Sequence, residues 1–211
     1  MATNRLIRPL VVLLAVWGGT VLAGTFASAG EYNEVLSIGD VAPAWSELPG
    51  VDGRKHSLKD LADKQVVVVV FTCNSCPVAT DYEDRLIELA KQTQGNGTVA
   101  FVAINVNRVK EDSPQNMKAR AESKGFPFPY LFDETQKIAK GFGANFTPEF
   151  FVLNKERKVV YMGSLDDHSD PKLAKQPYLA TAIQAALAGQ PSKPAETLAI
   201  GCRIRYVRER K

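Results

Sequence analysis

One short stretch limits the possible folds of this chain more than any other. Val66–Phe71 consists of five valines and a phenylalanine, and Cys73-Asn74-Ser75-Cys76-Pro77 follows after a single threonine. An unbroken β-branched run of this length predicts a strand that is buried on both faces, as in the middle of an α/β sheet. Apolar side chains then recur at helical spacing, at Val78, Tyr82, Leu86 and Leu89. The stretch therefore predicts a buried strand that leads into a helix, with two cysteines at the junction.

The rest of the chain alternates strand-like and helix-like segments. Further strands are predicted at 99–104, 130–132, 150–153 and 159–162, with short ones on either side of a turn at 50–54. Further helices are predicted at 57–61, 114–124, 134–142 and 178–188. The order β-α-β-α-β, followed by a hairpin and a helix, implies parallel strands with antiparallel strands added. The expected fold class is α/β, with a mixed β-sheet covered by helices on both faces.

The first 29 residues are typical of a targeting segment. Arg5 and Arg8 precede an apolar stretch, and Ala27-Ser28-Ala29 offers a small-residue cleavage site. An uncleaved anchor is the alternative, because residues 9–30 carry no charge and about 20 apolar residues can span a bilayer. The predicted organisation is a signal peptide at 1–29, one domain at 30–190 and a basic tail at 191–211. The protein is expected to be exported to the periplasm or another extracytoplasmic location, and to be membrane-anchored only if the segment is not cleaved.

Charge and cysteine content exclude several functional classes. The 26 Lys and Arg residues exceed the 23 Asp and Glu residues by only three, so nucleic acid is not an expected partner. Three cysteines are too few for a disulfide-stapled scaffold, even in an oxidising compartment. The sequence has no motif for a nucleotide, flavin or haem, so no cofactor is expected. Two of the three cysteines are therefore expected to do chemistry.

The position of the cysteine pair favours reactive thiols. Unpaired N–H groups and the helix dipole at a helix start stabilise a thiolate, so the pKa of Cys73 is expected to be lowered. A thiolate attacks a disulfide, and a second thiol nearby can then attack the mixed disulfide and release the product. Pro77 suits a helix start because it has no N–H to leave unpaired. We therefore predict that Cys73 is the attacking thiol and Cys76 the resolving thiol.

Two other uses of a Cys-x-x-Cys pair remain as alternatives. A zinc site needs further ligands, but the sequence has no second such pair, and its only histidines, His56 and His168, are far apart. A structural disulfide across so short a loop would remove little chain entropy and would stabilise weakly. Redox chemistry is the favoured interpretation.

Several further segments resemble a known family. They are residues 38–43 (IGDVAP), 71–77 (FTCNSCP), 103–107 (AINVN), 128–134 (FPYLFDE), 147–148 (TP) and 201–202 (GC). Residues 36–190 resemble the thioredoxin-like superfamily, in particular the AhpC/TSA or peroxiredoxin-like redoxins, and the tail resembles one subgroup of these. The resemblance implies a thioredoxin-like fold and a thiol–disulfide oxidoreductase that acts on protein disulfides. It also implies that Thr147-Pro148 is a cis-prolyl bond facing the dithiol, where backbone groups can pair with an extended substrate.

Departures from the family pattern bear on the chemistry. Counted from Cys76, the proline and threonine that typical peroxiredoxins place before the reactive cysteine are replaced by Val69 and Cys73. The match to peroxiredoxins makes a thiol peroxidase an alternative to the main prediction, but the missing threonine argues against efficient peroxidase activity. The valine run also lacks the buried carboxylate that thioredoxins use as a proton relay. Ser75 stands where members of the subgroup often carry histidine, which removes one influence that makes a disulfide more oxidising.

Two residues outside the pair are further candidates. Cys202 is predicted either as a third redox thiol or as a small, partly buried hydrophobic residue. His168 suggests a third alternative function, a Cu(I)-binding assembly factor in which soft thiolates bind the metal, although exported copper chaperones usually separate their cysteines by three residues. The main prediction assigns no metal. The expected partners are protein thiols or disulfides, together with an electron donor in the membrane or periplasm.

Overall fold

The computed structural model describes residues 30–95 and 97–208, so the predicted targeting segment at 1–29 lies outside the described residues. The strands are β1 (Leu48–Pro49), β2 (Lys55–His56), β3 (Val66–Phe71), β4 (Val99–Asn105), β5 (Tyr130–Phe132), β6 (Phe146–Thr147), β7 (Glu149–Leu153), β8 (Val159–Gly163) and β9 (Cys202–Arg203). The α-helices are α1 (Pro77–Gln94), α2 (Pro114–Lys124), α3 (Lys137–Phe142) and α4 (Tyr178–Leu187), with 3₁₀ turns at Leu58–Leu61 and Lys110–Asp112. Within the described ranges, no helix is long and apolar enough to cross a membrane.

Five strands form the central sheet in the order β5-β4-β3-β7-β8. β3 is parallel to β4, and β4 is parallel to β5, as expected for strands that are joined through helices. β7 runs antiparallel to β3, with Val70 opposite Phe150, and β8 returns antiparallel to β7. β3 is therefore the middle strand, which explains why all six of its residues are apolar and buried. The mixed sheet expected from the sequence is confirmed.

The two faces of β3 belong to two separate apolar clusters, because successive side chains of a strand point in opposite directions. Val66, Val68 and Val70 pack with side chains from α1, α2 and α4. On the other face, the alternate residues of β3 pack with α3, with the 3₁₀ turn at Leu58–Leu61 and with Ile204 of the tail. Helices thus cover both faces of the sheet, as predicted.

The ends of α2 follow local chemistry closely. Ser113 Oγ accepts the Asn116 N–H at 3.4 Å, and Pro114 occupies the first helical position. Gly125 ends the helix with φ 65°, a conformation that glycine adopts at little cost. The bounds predicted from the sequence, 114–124, agree with the structure.

The helix predicted at 134–142 is shorter than expected. α3 begins at Lys137 because the Asp133 carboxylate organises a turn before it. One carboxylate oxygen accepts the Thr135 hydroxyl at 2.6 Å, and the other accepts the Ile138 N–H at 2.8 Å. A side chain that binds nearby backbone and hydroxyl donors in this way competes with the helix for those residues.

The alternating pattern of the tail, at Ile200, Cys202, Ile204 and Tyr206, predicts an edge strand, and this is only partly correct. Only Cys202–Arg203 forms a strand, and β9 pairs with β6 rather than with the central sheet. Beyond it, side chains bind the backbone of the tail: Asn107 Oδ1 accepts the Arg205 N–H, and Gln136 Oε1 accepts the Val207 N–H. The tail is therefore anchored largely by side-chain contacts, which the alternating pattern does not reveal.

Candidate active site

The two cysteines of the pair lie between the end of β3 and the start of α1. Cys76 is the N-cap residue of α1, its sulfur accepts the Ala79 N–H at 3.4 Å, and Pro77 is the first helical residue. Cys73 lies three residues earlier, just beyond the buried strand. Their exposed fractions are 2% for Cys73 and 1% for Cys76, and both are thiols in this structure. The strand and helix thus hold two reduced sulfurs beneath the surface.

Thr147-Pro148 faces this pair, as the resemblance implied. The peptide bond between the two residues is cis. The Thr147 hydroxyl lies 3.3 Å from Cys73 Sγ, and the Cys76 S–H donates to the Thr147 carbonyl at 3.0 Å. Thr147, the last residue of β6, therefore contacts both sulfurs through different groups.

Asp112 is a site residue that the sequence analysis missed. Its buried carboxylate accepts the Asn74 N–H at 2.6 Å, the Ser75 N–H at 3.2 Å and the Ser75 hydroxyl at 2.6 Å. It also accepts an N–H of the Asn105 side chain at 3.0 Å. Four donors thus converge on one carboxylate, which fixes the two residues between the cysteines.

A second layer of contacts supports this loop from β4 and β5. Asn105, at the end of β4, also contacts the Tyr130 hydroxyl at 3.1 Å. The Tyr130 hydroxyl in turn donates to the Asn74 side-chain oxygen at 3.1 Å. Burial raises the pKa of Tyr130 well above its ordinary value, so this hydroxyl remains protonated and can donate. The loop is held from below by neutral donors as well as by Asp112.

The electrostatics of the pair differ from the sequence-based expectation. A hydrogen bond from Cys73, followed by contacts with Cys202 and the Ala79 N–H, lowers the pKa of Cys76 to about 5 against the cost of burial. The hydrogen bond to Cys76, then burial and the charge of Asp112, raise the pKa of Cys73. The expectation of a lowered pKa at Cys73 is therefore wrong for the reduced pair. The main physical reason is that Cys73 acts as the donor to Cys76, and a smaller one is that Cys76, as the N-cap residue, accepts the Ala79 N–H.

Glu149 is a second buried carboxyl group that was missed, and it supports the loop that carries Thr147. One of its oxygens accepts the Asn145 N–H at 2.7 Å and the Phe146 N–H at 2.9 Å. Burial raises the pKa of Glu149 to about 7, although these two hydrogen bonds oppose the shift. The sequence gives a weak signal for this role, an acidic residue at the start of an otherwise apolar strand.

The buried Glu149 predicts a dependence of stability on pH. The folded state holds the proton of Glu149 more tightly than the unfolded state, so this contribution to stability is complete below about pH 4.5 and is lost as pH rises to about 7.

Glu149→Gln keeps one oxygen to accept both N–H groups and removes the charge. We expect the variant to be more stable than the parent above about pH 7, by up to about 3 kcal/mol, with little difference in acid. Urea unfolding across pH measures this. The exposed Glu156→Gln is the control, and a constant difference at all pH values would contradict the prediction.

Cys202 lies beside the pair, whereas His168 is engaged elsewhere. Cys202 packs against the cluster of Cys73, Cys76 and Ala79, and burial together with the neighbouring Cys76 raises the pKa of its thiol. His168 Nδ1 accepts the Asp170 N–H at 2.9 Å within the loop after β8. Across the described residues, no group of three or more His, Cys, Asp or Glu side chains is arranged to hold a metal ion. The copper alternative stays an untested hypothesis.

Solved structures of other proteins share this architecture. The crystal structure of an uncharacterized conserved protein from Geobacillus kaustophilus superposes with a TM-score of 0.78 at 36% identity, covering 84% of this chain and 96% of that one. A thiol:disulfide interchange protein of the thioredoxin family from Chlorobium tepidum superposes with a TM-score of 0.56 at 19% identity, covering 72% and 99%. The second comparison shows the fold alone, and that fold is thioredoxin-like.

Proteins with similar amino-acid sequences include a thiol–disulfide oxidoreductase. The thiol-disulfide oxidoreductase ResA of Geobacillus thermodenitrificans is 29% identical over 152 residues, which make up 71% of this chain and 80% of that protein. The model of the AhpC/TSA family matches residues 38–162, a segment that contains the dithiol, Asp112 and Thr147-Pro148. With more than half of its length matched in this way, the chain belongs to the AhpC/TSA family.

Proposed function

We propose that the protein is a thiol–disulfide oxidoreductase in which Cys73 and Cys76 exchange with disulfides of partner proteins outside the cytoplasm. The observation that carries this proposal is that both sulfurs, which lie at the N-terminus of α1, contact Thr147. The ResA relative, which is named as an enzyme of this type, supports the same activity. Export rests on the sequence of residues 1–29.

Cys76 is the candidate for the base that a buried carboxylate provides in thioredoxins, because its pKa is lowered while that of Cys73 is raised. When the reduced pair loses one proton, the lower pKa of Cys76 favours the thiolate on Cys76, and Cys73 keeps its S–H. When Cys73 attacks a disulfide, Cys76 takes the proton, and the resulting Cys76 S–H is bound by the Thr147 carbonyl. The Thr147 hydroxyl is placed to donate to the sulfur of Cys73 as charge develops there.

In the second half of the reaction Cys73 no longer has an S–H to donate, and the Ala79 N–H still favours the Cys76 thiolate. Once Cys73 is joined to the substrate, Cys76 loses its proton again and attacks Cys73 Sγ. A bond forms between Cys73 and Cys76, the bond to the substrate breaks, and the substrate leaves as a thiolate that takes up the proton. Two thiols of the protein are thereby oxidised and one substrate disulfide is reduced. The reverse sequence oxidises a substrate dithiol.

The test is the reduction potential of the Cys73–Cys76 pair, measured by thiol trapping after equilibration in a series of redox buffers with metal excluded. A reversible two-electron couple within the range of thioredoxin-like enzymes is expected. A pair that never forms a disulfide, or one that resists all but extreme reduction, would overturn the proposal. The measured potential also decides between reductase and oxidase.

Thiol peroxidase activity is a second candidate, supported by one observation. Cys76 aligns with the reactive cysteine of peroxiredoxins and has the lowered pKa that a peroxide-reactive thiolate requires. Against it, the position of the threonine that typical peroxiredoxins use is occupied by Cys73. Oxidation of Cys76 by low peroxide faster than that of a free thiol would support this activity, and a rate equal to that of a free thiol would remove it.

A further inference from the structure

The C-terminal tail occupies the backbone edge that a substrate of this fold would be expected to use. β9 pairs antiparallel with β6, and Cys202 lies opposite Thr147 in the register. Without the tail, the backbone groups of Thr147, beside Pro148, would be available to an extended peptide. The tail therefore places a cysteine of this chain where a substrate cysteine would pair.

The tail can approach this closely because residue 201 is glycine. A Cβ atom added at Gly201 would lie 2.1 Å from the Thr147 carbonyl oxygen and 3.0 Å from the Pro148 nitrogen. Real Cβ atoms do not come so near to backbone atoms, so a side chain here would force the strands apart. Further along, the Ile204 N–H donates to the Asn145 carbonyl at 2.9 Å, and Ile204 is buried in the core. The tail is thus anchored on both sides of Cys202.

The three sulfurs lie in one cluster, in which Cys202 packs against Cys73 and Cys76. Cys73 and Cys202 both lower the pKa of Cys76. In the first turn of α1, the Ala79 N–H donates to Cys76 at 3.4 Å, and the Val78 backbone opposes the rise in the pKa of Cys202. Cys202 is also only partly buried, unlike the other two cysteines. A thiolate on Cys202 would therefore adjoin both the buried pair and solvent.

From this arrangement we propose that Cys202 is a third redox thiol, which exchanges with the Cys73–Cys76 disulfide to form a Cys76–Cys202 disulfide. The inference rests on the proposed function, because it needs that pair to form a disulfide first. In the exchange, Cys202 Sγ loses its proton and attacks Cys76 Sγ. The Cys76–Cys202 bond forms, the Cys73–Cys76 bond breaks, and Cys73 leaves as a thiolate that takes up the proton. The exchange involves no net gain or loss of electrons. The partly exposed Cys202 replaces the buried Cys73 as the disulfide partner of Cys76.

The first experiment asks whether the new bond forms, in a Cys73→Ser variant treated with oxidised glutathione. Trypsin leaves Cys76 in segment 65–85 and Cys202 in segment 176–203, so a covalent link between the two segments identifies the bond. We expect this link in most of the monomeric variant, and only glutathione adducts in the Cys73→Ser/Cys202→Ser control. Glutathione adducts without the link in Cys73→Ser would overturn the proposal. A normal Cys73–Cys76 couple in the parent protein would show that the proposed function stands independently.

The second experiment asks whether the exchange occurs in the oxidised parent protein. If the disulfide remains between Cys73 and Cys76, a slow alkylating reagent can label only Cys202. If the exchange operates, label also accumulates on Cys73, together with the link between the two tryptic segments. Label confined to Cys202 after prolonged reaction would overturn the proposal.

A matched pair of glycine variants tests the role of the tail position. In the Cys73→Ser background, Gly201→Ala is expected to slow formation of the Cys76–Cys202 link at least tenfold, because it displaces β9 from Thr147. Gly95→Ala, where nothing lies within 4 Å of an added Cβ, is expected to leave the rate unchanged. Equal rates in the two variants would overturn the assignment of the β6–β9 pairing as the feature that positions Cys202.

Discussion

Cys73→Ser is expected to reduce protein disulfides at least about 100-fold more slowly than the parent, whereas Cys76→Ser is expected to accumulate covalent complexes with its partners. Without Cys73 no mixed disulfide of the productive kind forms. Without Cys76 a mixed disulfide at Cys73 forms but has no neighbouring thiol in the pair to resolve it. Turnover of a disulfide-containing protein, followed by non-reducing electrophoresis of the products, measures both effects.

The contrast between the two variants is the informative result. Cys73→Ser/Cys76→Ser is the control and should give neither turnover nor the Cys73-linked complex. Complexes that accumulate with Cys73→Ser instead would reverse the assignment of the attacking and resolving thiols. Equal residual turnover in both single variants would argue against a dithiol mechanism altogether.

Asp112→Ala is expected to destabilise the reduced protein by about 3 kcal/mol, because it leaves four converging donors without their acceptor in a buried site. The Asn74-Ser75 loop between the cysteines would lose its main anchor. The reduction potential of the pair should shift as well, because the spacing of the two sulfurs depends on that loop. Urea unfolding and redox titration of the same samples measure the two effects.

Asp112→Asn separates the geometry of this site from its charge. An asparagine oxygen can still accept the two backbone N–H groups and the Asn105 N–H, and its amide can donate to the Ser75 oxygen. We therefore expect a much smaller loss of stability. The pKa of Cys73 should fall, since the charge of Asp112 is one of the causes that raise it, after the Cys76 hydrogen bond and burial. An equal loss of stability in both variants would show that the charge, not the acceptor geometry, holds the loop.

Local signals made much of the fold predictable. The unbroken valine run identifies β3 as a strand covered on both faces, and the sheet order places it in the middle. Ser113-Pro114 and Gly125 give both ends of α2, because capping depends only on residues within one turn. The start of α3 was misplaced because the Asp133 side chain takes over nearby donors, a competition that helical spacing does not report.

The dithiol and Thr147-Pro148 could be predicted, but Asp112 was not, and the reason is topological. Asp112 follows β4, and the cysteine loop follows β3. These strands are parallel neighbours, so the segments after their carboxyl ends lie at the same edge of the sheet. That rule was available from the predicted strand order, and it would have drawn attention to the acidic residues after β4. It could not have chosen Asp112 over Glu111, because the choice depends on the 3₁₀ turn at Lys110–Asp112.

The role of the tail was the least predictable part of the site. The alternation around Cys202 indicated a strand, but the partner of that strand is β6, which is only two residues long. The glycine before Cys202 acquires meaning only once the Thr147 carbonyl is known to lie against it. Contacts of this kind join segments more than 50 residues apart, and periodicity carries no information about them.

The pairing of β9 with β6 has a consequence for how the molecule is made. A chain grows from its N-terminus, so Cys73, Cys76 and Thr147 all exist before Cys202 has been added. Until β9 joins the domain, the edge of Thr147 is open and the buried thiols lack the cover that Cys202 provides. In the growing chain the dithiol is therefore more accessible to oxidants and chaperones than it is in the folded domain.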